Sequence, residues 1–247
     1  MDRMIYVGMS GAKQAMEQQA SVANNMANVS TPGFRAQINN FRAVPVVGPE
    51  AATRAMVVAS TPGADLRSGP MTQTGRALDV AVRGDGWLAV QTADGSEAYT
   101  RVGNLQVGSE GQLMTMDARP VVGEAGPLVV PPGAALMITD DGLVSALGPG
   151  GPALGAAAVG RLKLVNPPAG EMVRGDDGLF RMRPGAAPAA ADPAVRLLTG
   201  ALEGSNVSPV QVMVEMIANA RRFEMQMKTL QTAESNDQQA NKLLSSS

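Results

Sequence analysis

Apolar residues near the beginning of the chain recur at alternating intervals of four and three positions. The series consists of Ile5, Met9, Ala12, Met16, Gln19, Ala23 and Met26, with glutamine as its only polar member. This spacing places the whole series on one side of a helix, as in the seam of a heptad repeat. Thr31, Pro32 and Gly33 follow, and proline cannot continue a helix. The pattern therefore predicts a helix over about the first 30 residues.

A second apolar series occupies the other end of the chain. Ser208, Pro209 and Gln211 are typical of a capping box with proline at the first helical position. No further proline or glycine follows, and apolar positions again alternate, at Met213, Met216, Ala220, Phe223, Met227 and Leu230. The pattern predicts a helix over 209–244, about 54 Å long at about 1.5 Å per residue.

A helix of that length cannot bury its apolar side against one small domain. We therefore expect the two terminal helices to pair along their two series, in a coiled-coil-like arrangement, with surface left over for other subunits. The alternative is a pair of core helices in an ordinary α+β domain, although such long helices are unusual there.

The middle of the chain shows the alternation of period two that is typical of β-strands. Leu78, Val80 and Val82 alternate with small or polar neighbours. Asp-Gly pairs favour hairpin turns, and they separate short apolar runs at 85–86, 94–95, 141–142 and 177–178. In particular, we expect Gly84 to Gly86 to turn the chain and Trp87 to begin the returning strand.

Proline-rich stretches separate this β region from both helices. The sequence thus predicts an α+β fold, with paired long terminal helices flanking an all-β central domain. We expect five segments: an N-terminal helix (1–34), an extended connector (35–75), a β-rich domain (76–183), a return connector (184–206) and a C-terminal helix (207–247).

Composition restricts the chemistry that this chain can perform. The 247 residues include no cysteine and no histidine, which excludes a disulfide framework, a Cys/His zinc site, a cysteine nucleophile and a Ser-His-Asp relay. The net charge of −2 implies no attraction to nucleic acid. Methionine is abundant at 16 residues, and it suits adaptable contacts between helices.

The chain carries no sign of membrane targeting. Its first residues lack a basic stretch followed by a long apolar run, so we expect no cleavable signal peptide. No apolar run approaches the roughly 18 residues of a membrane-spanning helix. We therefore expect no direct membrane insertion.

Three motifs resemble catalytic or binding sequences. Residues 84–89 fit the dinucleotide pattern G-x-G-x-x-G/A, but that mechanism needs a helix where Trp87 to Val90 indicates a strand. The acidic pairs at 140–141 and 176–177 precede glycines and lack the spacing of a calcium loop. Solvated turns are the favoured interpretation, and we expect no catalytic residue, no cofactor and no metal site.

Uncharged amides gather where the first helix ends. Residues 24–30 read Asn-Asn-Met-Ala-Asn-Val-Ser, where a solvent-exposed helix usually carries lysine and glutamate. Amides and hydroxyls can satisfy one another in a crowded interface at low electrostatic cost. The alternative is a frayed, asparagine-rich last turn.

Five blocks of the sequence resemble the flagellar axial family, which contains rod, hook and hook-associated proteins. The first block, 23–35, resembles the N-terminal rod signature almost throughout, except for Met26 where leucine is common. The other blocks are residues 74–87, 99–103, 202–208 and 213–224. Together they span both ends and the middle of the chain. Within the family, the opening residues and the length favour the proximal-rod type over the distal-rod type.

The resemblance implies a fold and a task. Members of this family pair their terminal helices as an inner coiled-coil layer around a channel and hold a β-rich outer domain farther from the axis. Their subunits assemble helically into the rod, which transmits torque across the periplasm. The resemblance also implies export through the flagellar type III apparatus, without a cleaved signal. The expected partners are further copies of the chain and neighbouring rod proteins.

On this basis we expect an assembly interface and no enzymatic activity. The interface residues are Ile5, Met9, Ala12, Met16, Asn24, Asn25, Met26, Asn28, Phe34, Asn206, Met213, Met216, Ala220, Phe223, Met227 and Leu230. Two alternatives remain: a ligand-binding or enzymatic β domain with helical arms, and a secreted cap or export accessory factor with similar helical ends.

Overall fold

The computed structural model describes residues 2–45, 55–59, 63–148 and 156–245. Two α-helices and twenty strands occur in these ranges, so the predicted α+β class is confirmed. The chain divides into a helical unit and a β unit. The described residues of Met1–Val29, Gln37–Asp65 and Val207–Ser247 form the helical unit, and those of Ser30–Ala36 and Leu66–Asn206 form the β unit.

The helical unit contains both predicted helices. They are α1 (Asp2–Ala27) and α2 (Pro209–Ser245). The amide of Gln211 lies 3.5 Å from the Ser208 hydroxyl oxygen, so α2 begins at the predicted cap. Four short strands accompany the helices: β1 (Gln37–Ile38), β2 (Phe41–Pro45), β3 (Ala55–Ala59) and β4 (Gly63–Ala64). They form two antiparallel pairs, β1 with β4 and β2 with β3.

The two helices contact each other, but not along the predicted methionine series. The buried positions of α1 include Gly8, Ala12, Ala15 and Val22, whereas Met9 and Met16 are 56% and 62% exposed. The expected coiled-coil seam is therefore wrong for this chain. Small side chains allow the helices to approach closely, and the distance between helix axes depends on the side chains at the contact.

The remaining strands belong to the β unit. They are β5 (Met71–Gln73), β6 (Val80–Arg83), β7 (Trp87–Gln91), β8 (Glu97–Thr100), β9 (Leu105–Val107), β10 (Leu113–Thr115), β11 (Val122–Gly123), β12 (Gly126–Pro127), β13 (Ala135–Ile138), β14 (Leu143–Leu147), β15 (Ala156–Arg161), β16 (Leu164–Val165), β17 (Met172–Arg174), β18 (Phe180–Met182), β19 (Arg196–Thr199) and β20 (Ala201–Glu203). A 3₁₀ turn at Ala169–Glu171 precedes β17.

Two sheets provide most of the framework of the β unit. The larger has the order β16-β7-β8-β18-β17, and the smaller has the order β13-β14-β15. Two-stranded ribbons join β5 with β20 and β6 with β19. The β5–β20 ribbon joins residues 71–73 of one predicted connector to residues 201–203 of the other, so the two connectors supply strands that lie side by side.

Aliphatic side chains from these strands form one core. Leu105, Leu113, Val121 and Val144 are fully buried within it. Trp87 packs beside Phe180, with a distance of 4.5 Å between the ring centroids. The core is therefore aliphatic, with a single aromatic pair among the described side chains.

Three of the four Asp-Gly pairs lie in the turns of antiparallel pairs, and one does not. The pairs at 94–95, 141–142 and 177–178 lie between β7 and β8, β13 and β14, and β17 and β18. The predicted hairpin of residues 80–90 is wrong, because β6 pairs with β19 and β7 pairs with β8 and β16. A local turn signal does not report a partner strand more than 100 residues away.

Candidate functional site

An open apolar groove runs between the two helices of the helical unit. Its volume is about 470 Å³, and it is lined by Ala15, Met16, Gln19, Ala20, Ala23, Asn219, Ala220 and Phe223. Three of these residues, Met16, Ala220 and Phe223, belong to the predicted interface. Four of the lining residues are alanines, whose short side chains leave this space open between the helices.

Close packing beside the groove depends on glycine. A side-chain carbon added to Gly8 would lie 2.6 Å from the Leu230 Cδ2 atom, and one added to Gly11 would lie 3.0 Å from the Gln226 amide. Arg222 also reaches across from α2 to the side-chain oxygen of Gln18 on α1, at 3.4 Å. Among the predicted residues, Leu230 thus supports the contact between helices.

Large apolar side chains lie exposed on both helices. Val210 is 71% exposed, the largest value among the large apolar side chains in the described part of the chain. The predicted residues Met213 and Met227 belong to the same set, together with Tyr6, Met9, Met16, Val214, Ile217 and Met225. Large exposed apolar areas are typical of interaction surfaces. Of the other predicted residues, Met26 and Met216 are half-buried, and the side chain of Ile5 lies outside the described residues.

The predicted asparagines act within the chain. Buried Asn25 donates to the Gln37 carbonyl at 2.9 Å and accepts from the Gln37 amide at 2.7 Å. Asn28 donates to the Asn24 carbonyl at 2.9 Å. The bonds of Asn25 fix the end of α1 against β1, and that of Asn28 closes the last turn of α1, so both residues shape the helical unit.

In the β unit, the carboxylate of Glu203 holds two arginines. It accepts from Arg35 at 2.7 Å through Oε1 and from Arg101 at 3.2 Å through Oε2. The Gly69 amide also donates to Oε1, at 2.9 Å. The side chains of Glu203 and Arg35 are wholly buried, and that of Arg101 is nearly so.

Further hydrogen bonds join residues 33–36 to residues 203–206. The Gly33 amide donates to the Glu203 carbonyl at 2.8 Å, and the Ala36 amide donates to the Asn206 side-chain oxygen at 2.7 Å. Asn206 in turn donates to the Arg67 carbonyl at 2.9 Å. We call the set formed by residues 33–36, Arg101 and residues 203–206 the clasp.

Arginine at position 101 has further partners. Its guanidinium donates to the carbonyls of Val82, at 3.2 Å, and Gly84, at 2.7 Å. Burial lowers the pKa of Arg101 from its usual value, whereas the carboxylate of Glu203 acts in the opposite direction. The guanidinium centres of Arg35 and Arg101 lie 5.9 and 5.3 Å from the centre of the Trp87 ring. The aromatic face therefore stabilises two cations that share one carboxylate.

Gly33 brings the clasp into close contact. Its φ is +67°, and a side-chain carbon there would lie 2.3 Å from the Arg101 carbonyl carbon. Phe34, the next residue, lies beneath the guanidinium of Arg174 at 5.1 Å from the ring centre. The predicted interface residues Phe34 and Asn206 thus also make contacts within the chain.

We expect Gly33→Ala to destabilise the β unit by about 2–5 kcal/mol, because left-handed strain adds to overlap with Arg101. Gly75→Ala is the matched control, since Gly75 has φ +74° but no neighbouring atom within 4 Å of an added carbon. The control should lose about 1–2 kcal/mol. Urea unfolding followed by the fluorescence of Trp87 measures both. Equal losses would contradict the close approach at Gly33.

Three residues of the clasp escaped the sequence-based prediction. Arg101 and Glu203 stand in blocks that carried the resemblance but had no assigned role, and Arg35 was expected only as the end of segment 24–35 at the assembly interface. The available signal was charge, because each block holds few charged residues between neutral neighbours. Sequence separation concealed their meeting, since Arg35 and Glu203 lie 168 residues apart.

We searched the described residues for a metal site, a dinucleotide site and a membrane-spanning helix. No group of three or more acidic side chains in the described ranges is placed to hold a metal ion. The stretch 84–89 continues into strand β7, so the helix that a dinucleotide site requires does not follow it. Within the same ranges, neither helix is long and apolar enough to cross a membrane.

Three family models match the chain. The model described as flagella basal body rod protein matches residues 5–35. The flagellar hook protein FlgE/F/G D1 domain matches residues 81–146, and the C-terminal model of flagellar basal body rod FlgEFG proteins matches residues 198–243. The first and last matches contain the residues that form the clasp, apart from Ala36, which lies just beyond the first match, and Arg101, which lies in the second.

Full-length relatives are also similar. The flagellar basal-body rod protein FlgF of Salmonella typhimurium is 56% identical, and that of Escherichia coli K12 is 55% identical, each over 100% of both chains. The rod protein FlgG of Bacillus subtilis is 31% identical over 94% of this chain and 95% of its own length.

Proposed function

This chain belongs to the family of flagellar basal-body rod proteins, and from that membership we propose that its work is mechanical. It is a structural subunit of the flagellar basal-body rod, with full-length similarity to FlgF proteins. We propose that it occupies the proximal rod, where it assembles helically and transmits torque across the periplasm. The weaker identity to FlgG makes a distal-rod role the less supported alternative.

The observation that carries this proposal is the exposed apolar surface of the helical unit. Met9, Met16, Met213 and Met227 leave large parts of their side chains in solvent. A stable monomer gains nothing from that exposure, whereas neighbouring subunits in a rod can cover it. Methionine adapts its shape to irregular neighbours, which suits subunits that meet copies of themselves and other rod proteins.

The helices and the β-rich segment have different proposed roles in the rod. We propose that the two helices build the inner layer of the rod, with helix contacts that neighbouring subunits complete. The β-rich segment then forms the outer domain, joined to the helices by the two connectors. The helical groove and the predicted interface residues at its edges are the surface on which neighbouring helices pack.

Export and chemistry complete the proposal. We propose that the chain passes unfolded through the flagellar type III apparatus, without cleavage of a signal peptide and without insertion into a membrane.

We also propose that it has no enzymatic activity and needs no cofactor. The family is a structural one, and the acidic turns form local hydrogen bonds, as at Asp94, where those bonds lower the pKa to about 2.

The experiment that tests the function is localisation in isolated basal bodies. A null strain complemented with an epitope-tagged subunit should regain swimming, and the tag should lie in the proximal part of the purified rod. Mass spectrometry of the intact protein should show an uncleaved N-terminus. A subunit found only in the medium would instead support a secreted cap or accessory factor, and a distal position would support the FlgG-like alternative.

A further inference from the structure

The clasp joins the two places where the β unit connects to the helices in sequence. Residues 30–36 follow α1, which ends at Ala27, and residues 203–206 precede α2, which begins at Pro209. Both stretches belong to the β unit, where Gly33, Arg35 and Ala36 bond to Glu203 and Asn206. The clasp therefore ties the stretch that follows α1 to the stretch that precedes α2 by non-covalent contacts.

Charge within the clasp is unevenly distributed. Two buried guanidinium groups share the single carboxylate of Glu203. Arg101 also bonds to two carbonyl groups, whereas the Nε and Nη1 atoms of Arg35 have no hydrogen-bond acceptor among the described residues. If Arg35 withdraws, Glu203 keeps Arg101 and the Gly69 amide, and the remaining pair is electrically neutral.

The core of the β unit does not depend on residues 30–36. The cluster of buried aliphatic side chains begins at Val80 and ends at Leu197. The segment contributes backbone bonds, a buried arginine and a half-buried Phe34 at the edge of that unit. Withdrawal of the segment thus removes one cation from a shared site and leaves the aliphatic cluster complete.

We propose that residues 30–36 form a latch, which the Arg35–Glu203 ion pair closes and which can open without unfolding the β unit. The closed latch holds the two connecting stretches together when the subunit carries load. This coupling role rests on the proposed rod function, whereas the opening of the latch is a property of the isolated chain.

Amide hydrogen exchange of the full-length protein, followed by NMR, tests the latch directly. In Arg35→Ala, the Gly33 and Ala36 amides should exchange roughly 100-fold faster than in the wild type, because the strongest side-chain contact of the segment is lost. Amides of β7 and β8 should keep their protection. Arg196→Ala is the matched control, since that arginine is exposed, and it should change neither group.

Two results would overturn the latch. Unchanged exchange at Gly33 and Ala36 would show that backbone bonds alone hold the segment. Equal acceleration in β7 and β8 would show that the segment belongs to the same cooperative unit as the core. Trp87 fluorescence reports in parallel whether the variant folds, and Arg35→Lys, which keeps the charge, should give an intermediate rate.

Swimming under load tests the coupling. A null strain complemented with Arg35→Ala should assemble the subunit into basal bodies in normal amount but lose speed more steeply than the wild type as medium viscosity rises. The same viscosity dependence in both strains would overturn the coupling role, as would absence of the variant from basal bodies. Failure of the wild-type subunit to appear in the rod would instead contradict the proposed function.

Discussion

Replacing Phe223 with aspartate should abolish swimming while the β unit stays folded. Phe223 is half-buried in the isolated chain and lines the groove beside Met16 and Ala220. If a neighbouring subunit covers this groove, assembly buries a carboxylate against apolar atoms. An unsatisfied polar group in such a place costs about 2–7 kcal/mol, and about 1.4 kcal/mol reduces an association constant tenfold. Because every subunit carries the substitution, the buried carboxylate would weaken each contact of this kind along the rod.

Phe223→Leu is the matched control, because it keeps an apolar side chain at the same position, and it should support swimming. Motility agar and electron microscopy of purified basal bodies measure the functional effect. Fluorescence of Trp87 in the purified variants measures the folding of the β unit. Normal swimming of the aspartate variant would remove the groove from the assembly interface.

Phe223 also illustrates how far helix periodicity can be taken. The apolar series correctly predicted two long helices and the start of α2 at Pro209. It did not predict which side of α1 meets α2, because positions 8, 12, 15 and 22 and positions 9, 12, 16 and 23 are both spaced by three, four or seven residues. Hydrophobicity favours the set with methionine, whereas close packing selects the set with Gly8 and Ala15. The methionines remain available for other subunits.

In the β unit, the sequence predicted local structure better than long-range pairing. Val80 and Val82 lie in β6, as the alternation indicated, and the Asp-Gly pair at 94–95 lies between two paired strands. Pairing of β6 with β19 could not be predicted, because loop closure over more than 100 residues leaves no periodic signal. The contacts of the clasp could not be predicted for the same reason, since its three charged residues come from three distant blocks of the sequence.

The resemblance and the structure assign different meanings to those blocks. Sequence comparison treats them as signatures of a rod family, and the prediction therefore placed Phe34 and Asn206 at an interface between subunits. In the structure both make contacts within the chain: Asn206 with Ala36 and Arg67, and Phe34 with Arg174. A block shared by a family can thus reflect the fold of one subunit as well as contact between subunits.

Replacing Glu203 with leucine should have the largest effect on the stability of the β unit. The substitution leaves Arg35 and Arg101 buried with no carboxylate between them. Removing one partner from a buried ion pair costs about 3–5 kcal/mol, because the remaining charge is uncompensated. Small domains are stable by only about 5–15 kcal/mol, so the variant should unfold at much lower urea concentration. Trp87 is the only tryptophan and lies beside both arginines, so its fluorescence follows this loss.

Three further variants separate charge from packing. Glu110→Leu makes the same change at an exposed glutamate of the β unit and should shift stability by no more than about 0.5 kcal/mol. Glu203→Gln keeps the side-chain shape but not the charge, so it should lose nearly as much as the leucine variant. A triple variant with Arg35→Met, Arg101→Met and Glu203→Leu should recover most of the loss, since apolar replacement of a whole buried ion cluster is often neutral. If Glu203→Gln were as stable as the wild type, the carboxylate would not be what holds the clasp. In that case the backbone contacts of Gly33 and Ala36 would be its main support.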